Sequence, residues 1–166
     1  MRDLVLAFYL FLPAGIANTV PPILTRFLGP GRPIDGGKQW RGRPIFGAHK
    51  TWQGLIGGTA AGGIAFFVQR TVDRFDLPLM IGVLMPLGAL CGDLVKSFLK
   101  RRMAIEPGRS WFPLDQLDYV LGALVATAPL MPLPWRIVAS TVIVYFTLHL
   151  LVSAIGFALG VKESAL

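Results

Sequence analysis

Five stretches of the chain contain no Asp, Glu, Lys or Arg: residues 4–25, 51–69, 77–92, 119–135 and 137–161. A bilayer core is about 30 Å thick and needs about 20 consecutive apolar residues, or somewhat fewer where flanking side chains reach back to the interface. Each run is therefore a candidate span, and the third becomes long enough once Asp93 and Lys96 are counted with it. With 54% hydrophobic and 15% charged residues, the 166-residue chain is too apolar for an ordinary soluble domain. The first run lacks a small-residue cleavage site and continues into "NTVPP", so it reads as part of the mature protein rather than as a signal peptide. The expected fold is all-α: a polytopic integral membrane protein with five transmembrane helices and two cytoplasmic loops, forming one membrane-embedded domain over residues 1–166.

Spacing within the runs predicts how the helices meet. Gly54, Gly58 and Gly62 recur every four residues in the second run, as do Gly88 and Gly92 in the third, which lets backbones approach closely. Pro21 and Pro22 remove two backbone donors soon after Asn18. A break or kink is expected there, turning the Asn18 amide toward the protein interior.

A formal net charge of +7 admits nucleic-acid binding, but the distribution of the charges follows membrane topology instead. Segments 26–50 and 96–109 hold eleven of the sixteen Lys and Arg residues, whereas Arg2, Arg70, Arg74 and Arg136 are spread over the N-terminus and two short turns. The positive-inside rule places both basic loops and Lys162 in the cytoplasm and the N-terminus outside, as an odd number of spans requires. The bilayer is then the partner of the surface charge, and no nucleic acid is expected. A single cysteine, Cys91, excludes a disulfide framework and a cysteine-based zinc site and is expected to pack as a small apolar residue. His49 and His149 are too few and too far apart for a metal site.

Two regions carry chemistry. The loop "GRPIDGGKQWRGRPIFGAHKTWQG" sets glycines between cations, a composition suited either to a phosphate cradle or to anionic lipid heads at a membrane surface. It is not a Walker loop, because Ala48 and His49 separate Gly47 from Lys50. In the second region Asp93, Lys96, Ser97 and Lys100 fall at i, i+3, i+4 and i+7 and share one helix face. Asp115 and Asp118 share a face at the start of the next helix, where helix capping is an alternative for Asp115. A charge in the bilayer core costs about 2.5–3.5 kcal/mol on insertion scales and marks a functional site by default. Three carboxylates facing lysines at one membrane level suit a hard cation and phosphates, and magnesium is typically held by one or two carboxylates plus substrate phosphates.

These residues also resemble a known family. "SFLKRR" followed by "LDQLD" is similar to the core signature of the CDP-diglyceride synthases (phosphatidate cytidylyltransferases). The longer runs "GDLVKSFLKRRMAIEPGRSWFPLDQLDYVLGA" and "DGGKQWRGRPIFGAHKTWQGLIGG" resemble the short archaeal branch, the CDP-archaeol synthases, and together cover about a third of the chain. Where the bacterial form carries Lys-Asp and His-Gly-Gly, this chain has "EPGRSWFP", and nothing is carried over from those elements.

The resemblance implies transfer of CMP from CTP to an isoprenoid glyceryl-phosphate lipid, 2,3-di-O-geranylgeranylglyceryl phosphate, with magnesium as cofactor. It implies Asp93, Asp115 and Asp118 as metal ligands, Lys96 and Lys100 on the reacting phosphates, and Arg43, Lys50 and Arg101 on the nucleotide phosphates. Asn18 and Ser97 would line the site, and Trp111 would stack on cytosine or sit at the interface. A CDP-alcohol phosphotransferase is the nearest enzyme alternative, but its Asp-Gly-x-x-Ala-Arg motif is absent, since Asp35-Gly36 lacks the rest. An anion or lipid transporter would also want intramembrane cations, but the inverted repeat common among transporters is missing.

Cysteines introduced at Gly37 and Gly108 should be labelled by an impermeant thiol reagent from the cytoplasmic side, and one at Thr71 from the other side. Labelling of Gly37 and Gly108 from opposite sides would separate the two basic loops and contradict this topology.

Overall fold

The computed structural model describes residues 1–73, 76–106 and 109–158; Arg74, Gly108 and Lys162, on which part of the topology expectation rests, lie outside the described residues. Among the described residues five helices follow one another: α1 (Arg2–Leu28), α2 (Trp52–Asp73), α3 (Ile81–Arg102), α4 (Leu114–Thr127) and α5 (Trp135–Ala158). One departure from an all-α chain lies between α1 and α2, where β1 (Gln39–Trp40) and β2 (Arg43–Pro44) pair antiparallel. Arg41 and Gly42 turn between them with φ of 53° and 74°, the left-handed pair that a two-residue hairpin requires.

Among the described residues three helices are long and apolar enough, by length and composition, to cross a bilayer: Arg2–Leu28, Ile81–Arg102 and Trp135–Ile155. The expected fourth span, 119–135, is divided. Its helix begins earlier, at Leu114, and ends at Thr127 after 14 residues, about 21 Å of rise. Pro129, Pro132 and Pro134 cannot continue it, and a new helix starts at Trp135. The third run, read as 77–92, is helical from Ile81 through the whole charged segment to Arg102. α2 has 22 residues, but Gly54, Gly57, Gly58, Gly62 and Gly63 dilute its apolar character.

α1 does not break at Pro21 and Pro22; the helix runs through both and through Pro13. Each proline leaves the carbonyl four residues earlier without its helical donor, and at Pro13 a neighbouring helix supplies one. Pro13 frees the Tyr9 carbonyl, and the buried Gln69 of α2 donates its Nε2 to that oxygen at 2.6 Å. Pro21 frees the Ala17 carbonyl, and Gly58 brings the α2 backbone so close that a Cβ there would lie 2.6 Å from that oxygen.

The glycine spacing does set the helix approaches. Gly62 sits between the Pro13 carbonyl of α1 and Pro86 of α3, each 2.7 Å from where its Cβ would be. Gly88 and Gly92 of α3 face Gly122 of α4, a partner with no periodic signal of its own; a Cβ on Gly122 would lie 2.8 Å from the Gly92 Cα. Backbone thus touches backbone along the α3–α4 seam, which holds Asp93 level with Asp118. Phe11, Ile81, Met85, Tyr119, Val120 and Tyr145 form the central core, with Tyr145 Oη donating to the Phe8 carbonyl at 2.7 Å.

The long connection between α1 and α2 is tied to the C-terminal end of α3 through an exchange of arginines. Arg43 donates to the Arg102 carbonyl at 3.2 Å, and Arg102 donates to the carbonyls of Arg43 and Pro44 at 3.1 and 2.6 Å. The last carbonyls of α3 lack intrahelical partners, so the Arg43 cation satisfies one of them and complements the helix dipole.

Gly92→Ala and Gly122→Ala should each destabilise the protein by about 1–3 kcal/mol, because the new methyl group meets backbone that cannot yield. Gly57→Ala meets only the Leu24 side-chain tip and should cost less. Thermal unfolding in detergent ranks the three; equal stability of all three would contradict the seam.

Candidate active site

The glycine-rich loop holds an anion in its amides, but the anion is its own. Asp35, buried at the centre of the loop, accepts the Gly37 N–H on Oδ1 and the Phe46 and Gly47 N–H groups on Oδ2, all at 3.0 Å. Burial pushes the Asp35 carboxyl up, but these amides outweigh it and hold it below the ordinary aspartate value. The residue stayed unassigned at the sequence level, where only the Asx-turn composition of "IDGG" hints at it. Around it the loop closes on Lys50, whose N–H donates to the Gly47 carbonyl at 3.1 Å and whose carbonyl accepts the Ile34 N–H at 2.8 Å. Thr51 then caps α2, its Oγ1 accepting the Gly54 N–H at 3.1 Å.

Lys50 is thereby delivered to Asp93 of α3, with which it forms an ion pair. From there the charges alternate. Lys96, one turn along α3, donates to Asp93 at 3.0 Å, Asp115 at 3.2 Å and Asp118 at 2.6 Å. Lys100, a further turn on, donates to Asp115 at 3.0 Å and to the Arg109 carbonyl at 2.5 Å. Asp115 also accepts the Trp111 N–H at 2.6 Å from the segment before α4, and the helix itself has no side-chain cap hydrogen bond, so ion pairing and not capping is what the carboxylate does here. The Asp118 side chain is only 4% exposed. Three carboxylates and three ammonium groups thus form one network, and loss of a single partner would leave a buried charge uncompensated.

Two cavities border this network on different sides. One of about 420 Å³ lies among α1, α2 and α3 and is lined by polar groups including Asn18, His49, Lys50, Thr51 and Asp93. The other, about 580 Å³, runs between α3 and α4; Lys96 and Asp118 stand in a wall otherwise made by residues such as Leu87, Val95, Leu121 and Val125. Trp111 belongs to this apolar cleft, as does Cys91, which is exposed there instead of packing inside.

Of the residues singled out from sequence, Asp93, Lys96, Lys100, Asp115, Asp118 and Lys50 come together, and Asn18 faces the adjoining polar cavity. Ser97 is buried on the same helix. Arg43 is not brought to the cluster: it lies in a separate pocket with Trp40, Arg41, Phe98 and Arg102. Arg101 donates to the Ile105 carbonyl at 2.9 Å, while its Nε is buried with no hydrogen-bond partner. His149 packs its ring near Tyr119, 6.3 Å between centroids.

The acidic groups suit a hard cation in kind, since oxygens of three aspartates already converge on one positive centre, the Lys96 ammonium. They are spaced for that ammonium. Among the described residues no group of three His, Cys, Asp or Glu side chains is set for metal binding.

Comparison with known proteins finds relatives along the whole chain. A family model described as "CarS-like: CDP-archaeol synthase" matches residues 1–166. The CDP-archaeol synthase of Pyrococcus abyssi is 38% identical over 169 residues, covering 98% of both chains. That of Methanospirillum hungatei is 39% identical over 167 residues, covering 92% of this chain and 98% of the relative. That of Pyrococcus furiosus is 40% identical over 139 residues, 81% of each. A solved structure described as an intramembrane enzyme for archaeal membrane lipids biosynthesis superposes with a TM-score of 0.79 at 38% identity, covering 88% of this chain and 91% of that one. With its whole length matched by the family model and by relatives 38–40% identical, the chain belongs to the CDP-archaeol synthase family.

Proposed function

We propose that this chain transfers CMP from CTP to 2,3-di-O-geranylgeranylglyceryl phosphate, and that the two substrates reach the charged cluster from opposite sides. The carrying observation is the pair of cavities: a polar one ending at Lys50 and Asp93, and an apolar one ending at Lys96 and Asp118. CTP suits the first, where Lys50 and the N-terminus of α2 offer positive charge to its phosphates. The isoprenoid chains suit the second, with Trp111 at its polar end, and there the lipid phosphate meets Lys96.

In the reaction an oxygen of the lipid phosphate attacks the α-phosphorus of CTP, the α–β phosphoanhydride bond breaks, and pyrophosphate leaves. The nucleophile is already ionised near neutral pH, so alignment and charge neutralisation are what the protein must supply. Lys50 leaves Asp93 for the nucleotide phosphates and Lys96 turns from its aspartates to the lipid phosphate, so that the ion pairs of the free protein are exchanged for substrate contacts. Asp93, Asp115 and Asp118 would hold magnesium, which when bound neutralises phosphate charge. Arg43 and Arg101 contribute by fixing the loops rather than by reaching the nucleotide. In the membrane all five helices span or enter the bilayer, the short α4 being shielded by α3 and α5, with both long loops cytoplasmic and the N-terminus outside.

Purified protein given CTP, magnesium and the lipid phosphate should yield a CDP-lipid by mass spectrometry, and chelation should abolish it. Asp115→Asn and Asp118→Asn should lower kcat about a hundredfold or more while the protein still elutes as a folded species. Near-normal turnover of both variants at saturating magnesium would remove the metal assignment.

A further inference from the structure

We propose that Asp35 is the positioning residue that sets Lys50 for CTP, acting from inside the loop without touching substrate. This rests on the assignment of Lys50 to the nucleotide phosphates.

The observations form a continuous chain of bonds. Asp35 Oδ2 takes the N–H groups of both Phe46 and Gly47, and the Gly47 carbonyl in turn takes the Lys50 N–H. The Lys50 carbonyl takes the N–H of Ile34, the residue next to Asp35, and the Arg32 carbonyl takes the Trp52 N–H at 3.0 Å. Both backbone groups of Lys50 are therefore tied to the immediate neighbourhood of one buried carboxylate. Gly36, Gly37 and Gly47, with φ of 60°, 76° and 104°, are the positions whose backbone conformation lets the amides turn inward. The polar cavity places Ile34, Lys50 and Thr51 on one wall, so a shift of the loop moves the ammonium relative to Asp93 and Asn18.

Charge and valence both matter at this position. An asparagine has one acceptor oxygen where the carboxylate uses two, so Asp35→Asn must leave unpaired either Gly37 or the Phe46–Gly47 pair. The second case releases the segment that carries Lys50. The loop is also pinned from outside by the Arg43–Arg102 exchange, which keeps it on the bundle when the internal tie is lost.

The test is a double-mutant cycle on the full chain in detergent. Asp35→Asn should raise the KM for CTP about tenfold with kcat changed less than about threefold, and in a Lys50→Ala background it should add less than about twofold. A role in general stability would instead multiply the two effects. Peptide-resolved acylation of lysines supplies a second readout: Lys50 should react faster in Asp35→Asn, and in Asp35→Ser should the first variant not fold, while the exposed Lys38 reacts as before. Unchanged KM and unchanged Lys50 reactivity would overturn the inference. If Lys50→Ala itself leaves KM unaltered, the assignment of Lys50 to CTP fails, whereas a raised KM in Lys50→Ala alone refutes only the role of Asp35.

Discussion

One ammonium group, Lys96 Nζ, is shared by carboxylates from two helices: Asp93 on its own α3, and Asp115 and Asp118 on α4. Charges in a setting this buried are costly unless paired, and each aspartate here has at least one cationic partner. The backbone-to-backbone seam of Gly88, Gly92 and Gly122 brings the two helices close enough for that sharing. The loop before α2 then adds Lys50 to the free side of Asp93. Helix packing, loop conformation and site electrostatics therefore depend on the same few groups.

Such a network is neutral as three pairs and can be stable without substrate, yet every member is a group that phosphates or a divalent cation would compete for. Substrate binding can replace ion pairs by other charge-assisted bonds without stranding a buried charge, provided that nucleotide and lipid phosphate arrive together with a cation. The glycine-rich loop fills its own amide nest with Asp35, and that nest shapes the segment that carries Lys50 to Asp93.

The helical face of Asp93, Lys96, Ser97 and Lys100 was legible in the sequence because local periodicity fixes it, and so were the glycine contacts of α2 and α3. The motif singles out Lys50 as a candidate phosphate ligand, but its pairing with Asp93, 43 residues away, belongs to tertiary structure. Arg43 has the same motif standing and a different destination, the end of α3, which no local pattern announces. Hydropathy alone put a fourth run at 119–135, whereas the three prolines after Thr127 decide where the helix stops. α1 runs on across Pro21 and Pro22 where Gly54 and Gly58 bring α2 close against it, an approach that a reading of α1 by itself does not contain.

If lipid and nucleotide meet across the cluster from opposite cavities, the native single cysteine reports on it. Cys91 stands in the apolar α3–α4 cleft and outside the polar cavity. The direct measurement is the rate of Cys91 alkylation in detergent with a soluble short-chain lipid phosphate, with CTP, or with neither. A two-sided site requires the lipid phosphate to slow the reaction and CTP alone to leave it unchanged. Protection by CTP, with none from the lipid phosphate, would contradict it.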